Sequence, residues 1–256
     1  VDVWGAETES RPNILFIMTD EHRYDGVGVN GNGLIRTPNL DALAGESANF
    51  SHMFVQSPVC VPSRASFFTG RYPHAHQNRV NYTLLKESER LLPSYLQEAG
   101  YTTALIGKTH LYYQFPPTPE EAGRTGFEIV ELHDGVSMTD KYSAYVTWRN
   151  ERDPKRDIDY RKTTAEGENP FRAVIDAQYS DTAWTGLRTR HHVETLSASE
   201  NPFFIFASFW KPHSPFEVHE PYDTMYSDVT IPLPKMETLE DIERLPLPLQ
   251  KLILRG

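Results

Sequence analysis

Three near-continuous apolar runs punctuate the chain: "NILFIM" at 13–18, "TTALIG" at 102–107 and "FFIFASF" at 203–209. Each is strand-sized and unbroken by charge, which suits strands of a parallel sheet covered on both faces. Helical spacing fills the intervals. In "TPNLDALAGESANF" (37–50), Thr37 reads as a cap and Pro38 as the first turn, with Leu40, Leu43 and Ala44 on one face. "PSYLQEAGY" (93–101) follows the same logic and stops at Gly100. Residues 174–196 read as one longer helix. Strands alternating with helices predict an α/β fold with a mainly parallel sheet flanked by helices.

The pattern changes between 115 and 172. "PPTPEEAGRTG" and "RNERDPKRDIDYRKTTAEGENP" are rich in Pro and charge and read as a variable loop insertion outside the sheet. Beyond 230, Pro-punctuated sequence turns helix-like and stops at "LQKLILRG" with apolar residues unmatched. Residues 1–10, which begin with Val1, read as a leader or a cloning remnant. Residues 11–256 read as the N-terminal portion of one α/β domain. A periplasmic or secreted location is the expectation, with a cytoplasmic one as the alternative.

Composition narrows the partners. The 25 Lys+Arg are outweighed by 35 Asp+Glu, a formal charge of −10, so a nucleic-acid partner is not expected and any anion site needs a local basic cluster. No apolar run reaches the ~18 residues of a membrane span. The chain has one cysteine, Cys60, which excludes an internal disulfide framework.

Ligands of doubly wound sheets sit beyond the carboxyl ends of the strands. Three polar clusters fall there: "TDEHRYD" with Asp20 and Glu21, "GKTH" with Lys108 and His110, and "WKPHSP" with Lys211 and His213. Spacing of i, i+2 would put each Lys/His pair on one side of an extended segment. Singly, each cluster is ordinary surface chemistry; three after three buried strands point to one site. The oxygen donors of Asp20 and Glu21 suit Ca²⁺ or Mg²⁺ better than zinc. His74 and His76 supply too few ligands for a soft-metal site.

Cys60 stands in "SPVCVPSRASFFTGRYP". With Pro62 in the first turn of a helix, the thiol lies at the helix entrance, where free N–H groups and the dipole favour an anion. Arg64 can point back toward it, and its planar fork suits a tetrahedral oxyanion. A thiolate nucleophile is one option, but it leaves the two acids without a role.

"CVPSRASFFTGR" resembles the signature of the formylglycine-dependent sulfatases, Cys-x-Pro-Ser-Arg followed by Thr-Gly-Arg. "RPNILFIMTDEHRYD", "TPNLDALA", "YTTALIGKTH", "TGFE" and "KPHSPF" match further landmarks in order across 11–234. The resemblance implies an alkaline-phosphatase-like fold, incomplete at its C-terminus, and a nucleophile made from Cys60 by a formylglycine-generating enzyme. The aldehyde hydrates; one hydroxyl attacks sulfur, and deprotonation of the other then expels sulfate. By the same resemblance Asp20, Glu21 and the modified Cys60 hold Ca²⁺ (Mg²⁺ as the alternative), Glu21 standing where the family usually has Asp or Gln. Arg64 stabilises the hydrate. Lys108 binds sulfate, His110 assists diol deprotonation, and His213 is the general acid at the leaving oxygen. Lys211 lies just outside and faces substrate. Thr109 replaces an aromatic residue.

The later Asp and the further lysine of the family are missing. "LHDG" (132–135) has the wrong order and falls in the insertion. The remaining C-terminal part of the same protein is therefore an expected partner. The implied reaction is hydrolysis of a carbohydrate or small-molecule sulfate ester. The alternatives are a phosphonate or phosphate diester hydrolase of the same superfamily and an inactive fragment acting as a binding module.

Overall fold

The computed structural model describes residues 11–113, 118–134, 140–159, 161–163, 170–232 and 239–253. Strands β1 (Ile14–Thr19), β2 (Thr102–Gly107), β3 (Ile129–Leu132) and β4 (Phe203–Phe209) form a sheet in the order β1-β4-β2-β3. All its pairs are parallel, with Ile14 opposite Phe204, Thr102 opposite Phe203, and Ala104 opposite Ile129. The three apolar runs are thus strands. Parallel alignment brings their carboxyl ends, and the polar clusters after them, to one edge.

The helices are α1 (Pro38–Gly45), α2 (Cys60–Thr69), α3 (Pro73–His76), α4 (Leu92–Glu98), α5 (Pro119–Gly123), α6 (Ala144–Arg152), α7 (Asp181–Leu196), α8 (Leu239–Glu243) and α9 (Leu247–Ile253). Helix α2 buries Val61, Arg64, Ala65 and Phe68, the i, i+3, i+4, i+7 stripe of an amphipathic helix. Phe68 packs edge-on to Phe206 with ring centroids 4.9 Å apart. Gly70, at φ +66°, ends α2 and donates its N–H to Ser66 O. On the other face Tyr145 of α6 and Trp184 of α7 pack on Ala104, Ile106, Phe203 and Ile205.

Several expectations change. The supposed insertion at 115–172 contains β3, α5 and α6, so part of it lies inside the sheet and its cover. β3 escapes a periodicity reading because it has only four residues and one is Glu131. That carboxylate is held by Arg188 at 2.6 and 2.5 Å and His192 at 2.7 Å, which pins β3 to α7. The 174–196 helix begins only at Asp181, where the Ser180 side chain caps it through Ala183 N. Helix α1 ends at Gly45, and Leu40 and Leu43 are exposed, so the predicted inward face is not one. Nor is β1 covered on both faces: Leu15 is 43% and Ile17 57% exposed. Among the described residues no helix is long and apolar enough to cross a membrane. Residues 1–10 and Gly135 lie outside the described residues.

Candidate active site

Cys60 is the first residue of α2, with Pro62 inside the first turn. The helix N-terminus is less open than the sequence suggests, because Val61 N donates to Asn81 Oδ1 at 3.0 Å. Cys60 Sγ, partly exposed, lies 4.0 Å from Asp20 Oδ1. Asp20, one residue past β1, is the hub of the site. Its Oδ2 is 2.6 Å from Lys108 Nζ and 3.3 Å from Arg64 Nη2. Burial raises the Asp20 pKa, but the charge and hydrogen bond of Lys108, and the charge of Arg64, hold it below the ordinary carboxylate value.

Arg64 does not reach back over Cys60 as a free fork. It is 3% exposed, and its Nη1 donates to Lys108 O at 2.8 Å and Ser208 Oγ at 3.0 Å. It therefore ties α2 to the ends of β2 and β4 while placing one positive charge under Asp20. Lys108 is fully buried. Its ammonium lies between Asp20 and the ring of Trp210, 3.9 Å from the centroid, a cation–π contact strengthened by desolvation.

The Lys-x-His pairs lie in irregular backbone past β2 and β4. Gly107 and His110 have φ of +96° and +53°, so the first pair sits on a segment bounded by two left-handed residues. A Cβ on Gly107 would meet Ser208 O at 2.1 Å, which explains the glycine. Burial, then the charges of Lys108 and Arg64, lower the His110 pKa to about 3, so the imidazole is neutral at neutral pH. Among the described residues nothing bonds its Nδ1. The second pair lies in the turn after β4. There His213 Nε2 is 3.5 Å from Glu21 Oε1, and Trp210 packs against His213 at 5.0 Å. Lys211 is turned away from this cluster onto Glu217 and the Pro215 carbonyl, so its ammonium is already occupied.

Ligand atoms of Asp20, Glu21, Cys60 and His213 all lie within 4.8 Å of one another. Glu21, two residues past β1, takes up φ +58°. Its carboxylate and that of Asp20 give hard oxygens, the thiol and imidazole softer donors. With sulfur at position 60 the set also suits zinc; with oxygen there it becomes the hard set that Ca²⁺ or Mg²⁺ takes. The two carboxylates cancel the charges of Arg64 and Lys108, so a divalent cation held there would supply the positive excess that an anionic ligand needs. His74 is exposed and stacks on Tyr72, whereas His76 is fully buried between Ser66 Oγ at 3.0 Å and Asn78 N at 3.1 Å; both are structural.

A hollow of about 270 Å³ lies over Cys60, Asp20 and Glu21. A second, of about 310 Å³, is lined by His133, Tyr145, Asp181, Trp210, Lys211 and His213. The His213–Glu21 contact joins the two. Sequence reasoning passes over Trp210, though it directly precedes Lys211, and sets aside Asp134. The latter is not in a loop excursion: it follows β3, is 2% exposed, and faces the turn of His110.

Residues 12–245 match the Sulfatase family profile. The chain belongs to the sulfatase family. It is 32% identical over 249 residues to an arylsulfatase of Clostridium perfringens, covering 88% of this chain and 48% of that one. An N-acetylglucosamine-6-O-sulfatase of Bacteroides thetaiotaomicron is 39% identical over 105 residues, 41% of this chain and 19% of its own length. Among solved structures, the phosphonate monoester hydrolase of Agrobacterium radiobacter superposes with a TM-score of 0.77 at 25% identity, over 95% of this chain and 49% of its own. The chain thus spans about half the length of the arylsulfatase and of the hydrolase. The sheet and its flanking helices are those of the alkaline-phosphatase-like sulfatases and phosphonate hydrolases.

Proposed function

We propose that the full-length sulfatase hydrolyses a sulfate ester of a carbohydrate, using residue 60 after conversion from Cys to formylglycine. The observation that carries this reading is the convergence on Asp20: Cys60, Lys108 and Arg64 all meet its carboxylate. Hydrated, residue 60 would offer one hydroxyl for attack on sulfur and a second whose deprotonation releases sulfate. Neutral His110, with an unengaged Nδ1, accepts that proton. Lys108, on its cation–π seat, balances charge on the sulfuryl oxygens. His213, between the two hollows, protonates the leaving alcohol.

Asp20, Glu21 and residue 60 are proposed to hold Ca²⁺, with Mg²⁺ as a substitute. Bound there, the ion supplies Lewis-acid polarisation and counter-charge. Three such ligands fall short of the roughly six a hard cation takes, and the proposal assigns the rest to the C-terminal part of the protein. The second hollow takes the alcohol. Its mixture of Tyr145 and Trp210 with polar groups suits a hydroxyl-bearing ring, and the name of the N-acetylglucosamine-6-O-sulfatase relative supports the same class.

A second reading, phosphonate or phosphate ester hydrolysis, is favoured by the match to the Agrobacterium hydrolase. Parallel rates on 4-nitrophenyl sulfate and on an aryl phosphonate monoester separate the two. The sulfate reading predicts the higher kcat/KM on the sulfate; the reverse order would replace it.

A further inference from the structure

The segment that carries His110 is held from outside. The N–H groups of its residues after Gly107 lie away from free water and need acceptors. Lys108 N donates to Ser208 O at 3.2 Å. Thr109 N and His110 N both donate to Asp134 Oδ1, at 3.0 and 3.2 Å. Asp134 is placed for this by β3, which the His133 N to Gly107 O bond of 2.9 Å continues. Its Oδ2 is buried without a hydrogen-bond partner among the described residues.

The two functional side chains of the segment differ in how they are fixed. The Lys108 ammonium is gripped directly, by Asp20 and Trp210. Among the described residues the His110 ring has no such grip, and Tyr112 is a ring contact at 6.4 Å. Its aim therefore depends on its backbone, which sits at φ +53°, a region uncommon for a residue with a Cβ.

We propose that Asp134 is the positioning residue for His110: by accepting the N–H groups of Thr109 and His110 it fixes the left-handed backbone at His110 and so the direction of its imidazole. This rests on the reading of His110 as a base in sulfate ester hydrolysis. The role is that of an acceptor at a fixed place, and two variants separate place from charge. Asp134→Asn keeps an oxygen where Oδ1 lies and loses the charge. Asp134→Glu keeps the charge and moves the oxygen.

The test uses the full-length protein, 4-nitrophenyl sulfate, and spectra of the protein labelled with ¹³C at histidine Cε1. Asp134→Glu and Asp134→Ala are expected to lower kcat about 100-fold with KM little changed, the scale of a misplacement near 1 Å. Asp134→Asn should stay within about tenfold of the unaltered protein. In a His110→Ala background, Asp134→Glu should cost less than about threefold, because the residue it positions is gone. The His110 signal should move or broaden in Asp134→Glu and hold in Asp134→Asn, with His219 unmoved in both. Should the alanine variant not fold, the Asn and Glu pair still decides. Equal losses in both backgrounds, or an unmoved His110 signal in Asp134→Glu, would overturn the proposal. Absence of hydrolysis by the unaltered protein would instead defeat the reading of the reaction, and the His110 signal would still show whether Asp134 sets the backbone at His110.

Discussion

At Asp20 one carboxylate answers to a lysine, an arginine and Cys60, the nucleophile precursor of our proposal, so single-residue changes should have separable signatures. His213 protonates the leaving oxygen in our reading. His213→Ala is therefore expected to slow sugar sulfates by about two to three orders of magnitude and 4-nitrophenyl sulfate much less, since nitrophenolate leaves without a proton. Equal losses on both would remove His213 from that role. His110 carries a pH consequence. Its folded pKa, about 3, lies below the ordinary 6.5, so between these values the unfolded chain binds the extra proton. The neutral ring thus favours folding fully above about pH 6.5, and that contribution fades as pH falls toward 3. Melting temperatures of the unaltered protein and His110→Gln should converge or cross on acidification through this window. Parallel curves would show that His110 is not buried in the neutral form.

At the scale of elements, the site depends on β2 and β4 ending in close contact. Gly107→Ala would drive a Cβ into Ser208 O at 2.1 Å, at a φ of +96°. A backbone obstacle cannot rotate away, so a loss of more than about 2 kcal/mol is expected, measured by denaturant midpoint, together with impaired activity through Lys108 and His110. An unchanged midpoint would show that the two strand ends are free to separate. Much of this edge is legible in the sequence. The runs at 13–18, 102–107 and 203–209 announce buried strands, and parallel pairing then gathers Asp20, Lys108 and the turn of His213. What stays hidden does so for physical reasons. β3 is too short and too acidic at Glu131 to show a period, so Asp134 after it looks like loop. The direction of a side chain is a matter of packing rather than spacing. Arg64 is consumed by Lys108 O and Ser208 Oγ, and Lys211 by Glu217, though spacing alone points both at a ligand.

For the whole molecule, the uneven covering of the sheet matters most. Aromatic rings seal β2 and β4, whereas Leu15 and Ile17 on β1 stand open beside the site. An open apolar strip on an edge strand is a docking or aggregation surface. A protein consisting of residues 1–256 alone is expected to bind the apolar dye ANS, and Leu15→Lys with Ile17→Lys should reduce that binding at unchanged helix content. Dye binding that ignores these substitutions would place the exposed surface elsewhere.

The proposed chemistry turns on what stands at position 60. A thiol there would leave Asp20 and Glu21 beside a soft donor; an aldehyde hydrate would give them an oxygen partner and give sulfate an exit. The direct measurement is the mass of the peptide containing residue 60, taken from full-length protein whose turnover of a sulfate ester has been quantified in the same preparation. Activity is expected to rise in proportion to the fraction of peptide carrying an aldehyde in place of the thiol. Full activity in a preparation whose residue 60 is an intact cysteine would contradict the formylglycine mechanism.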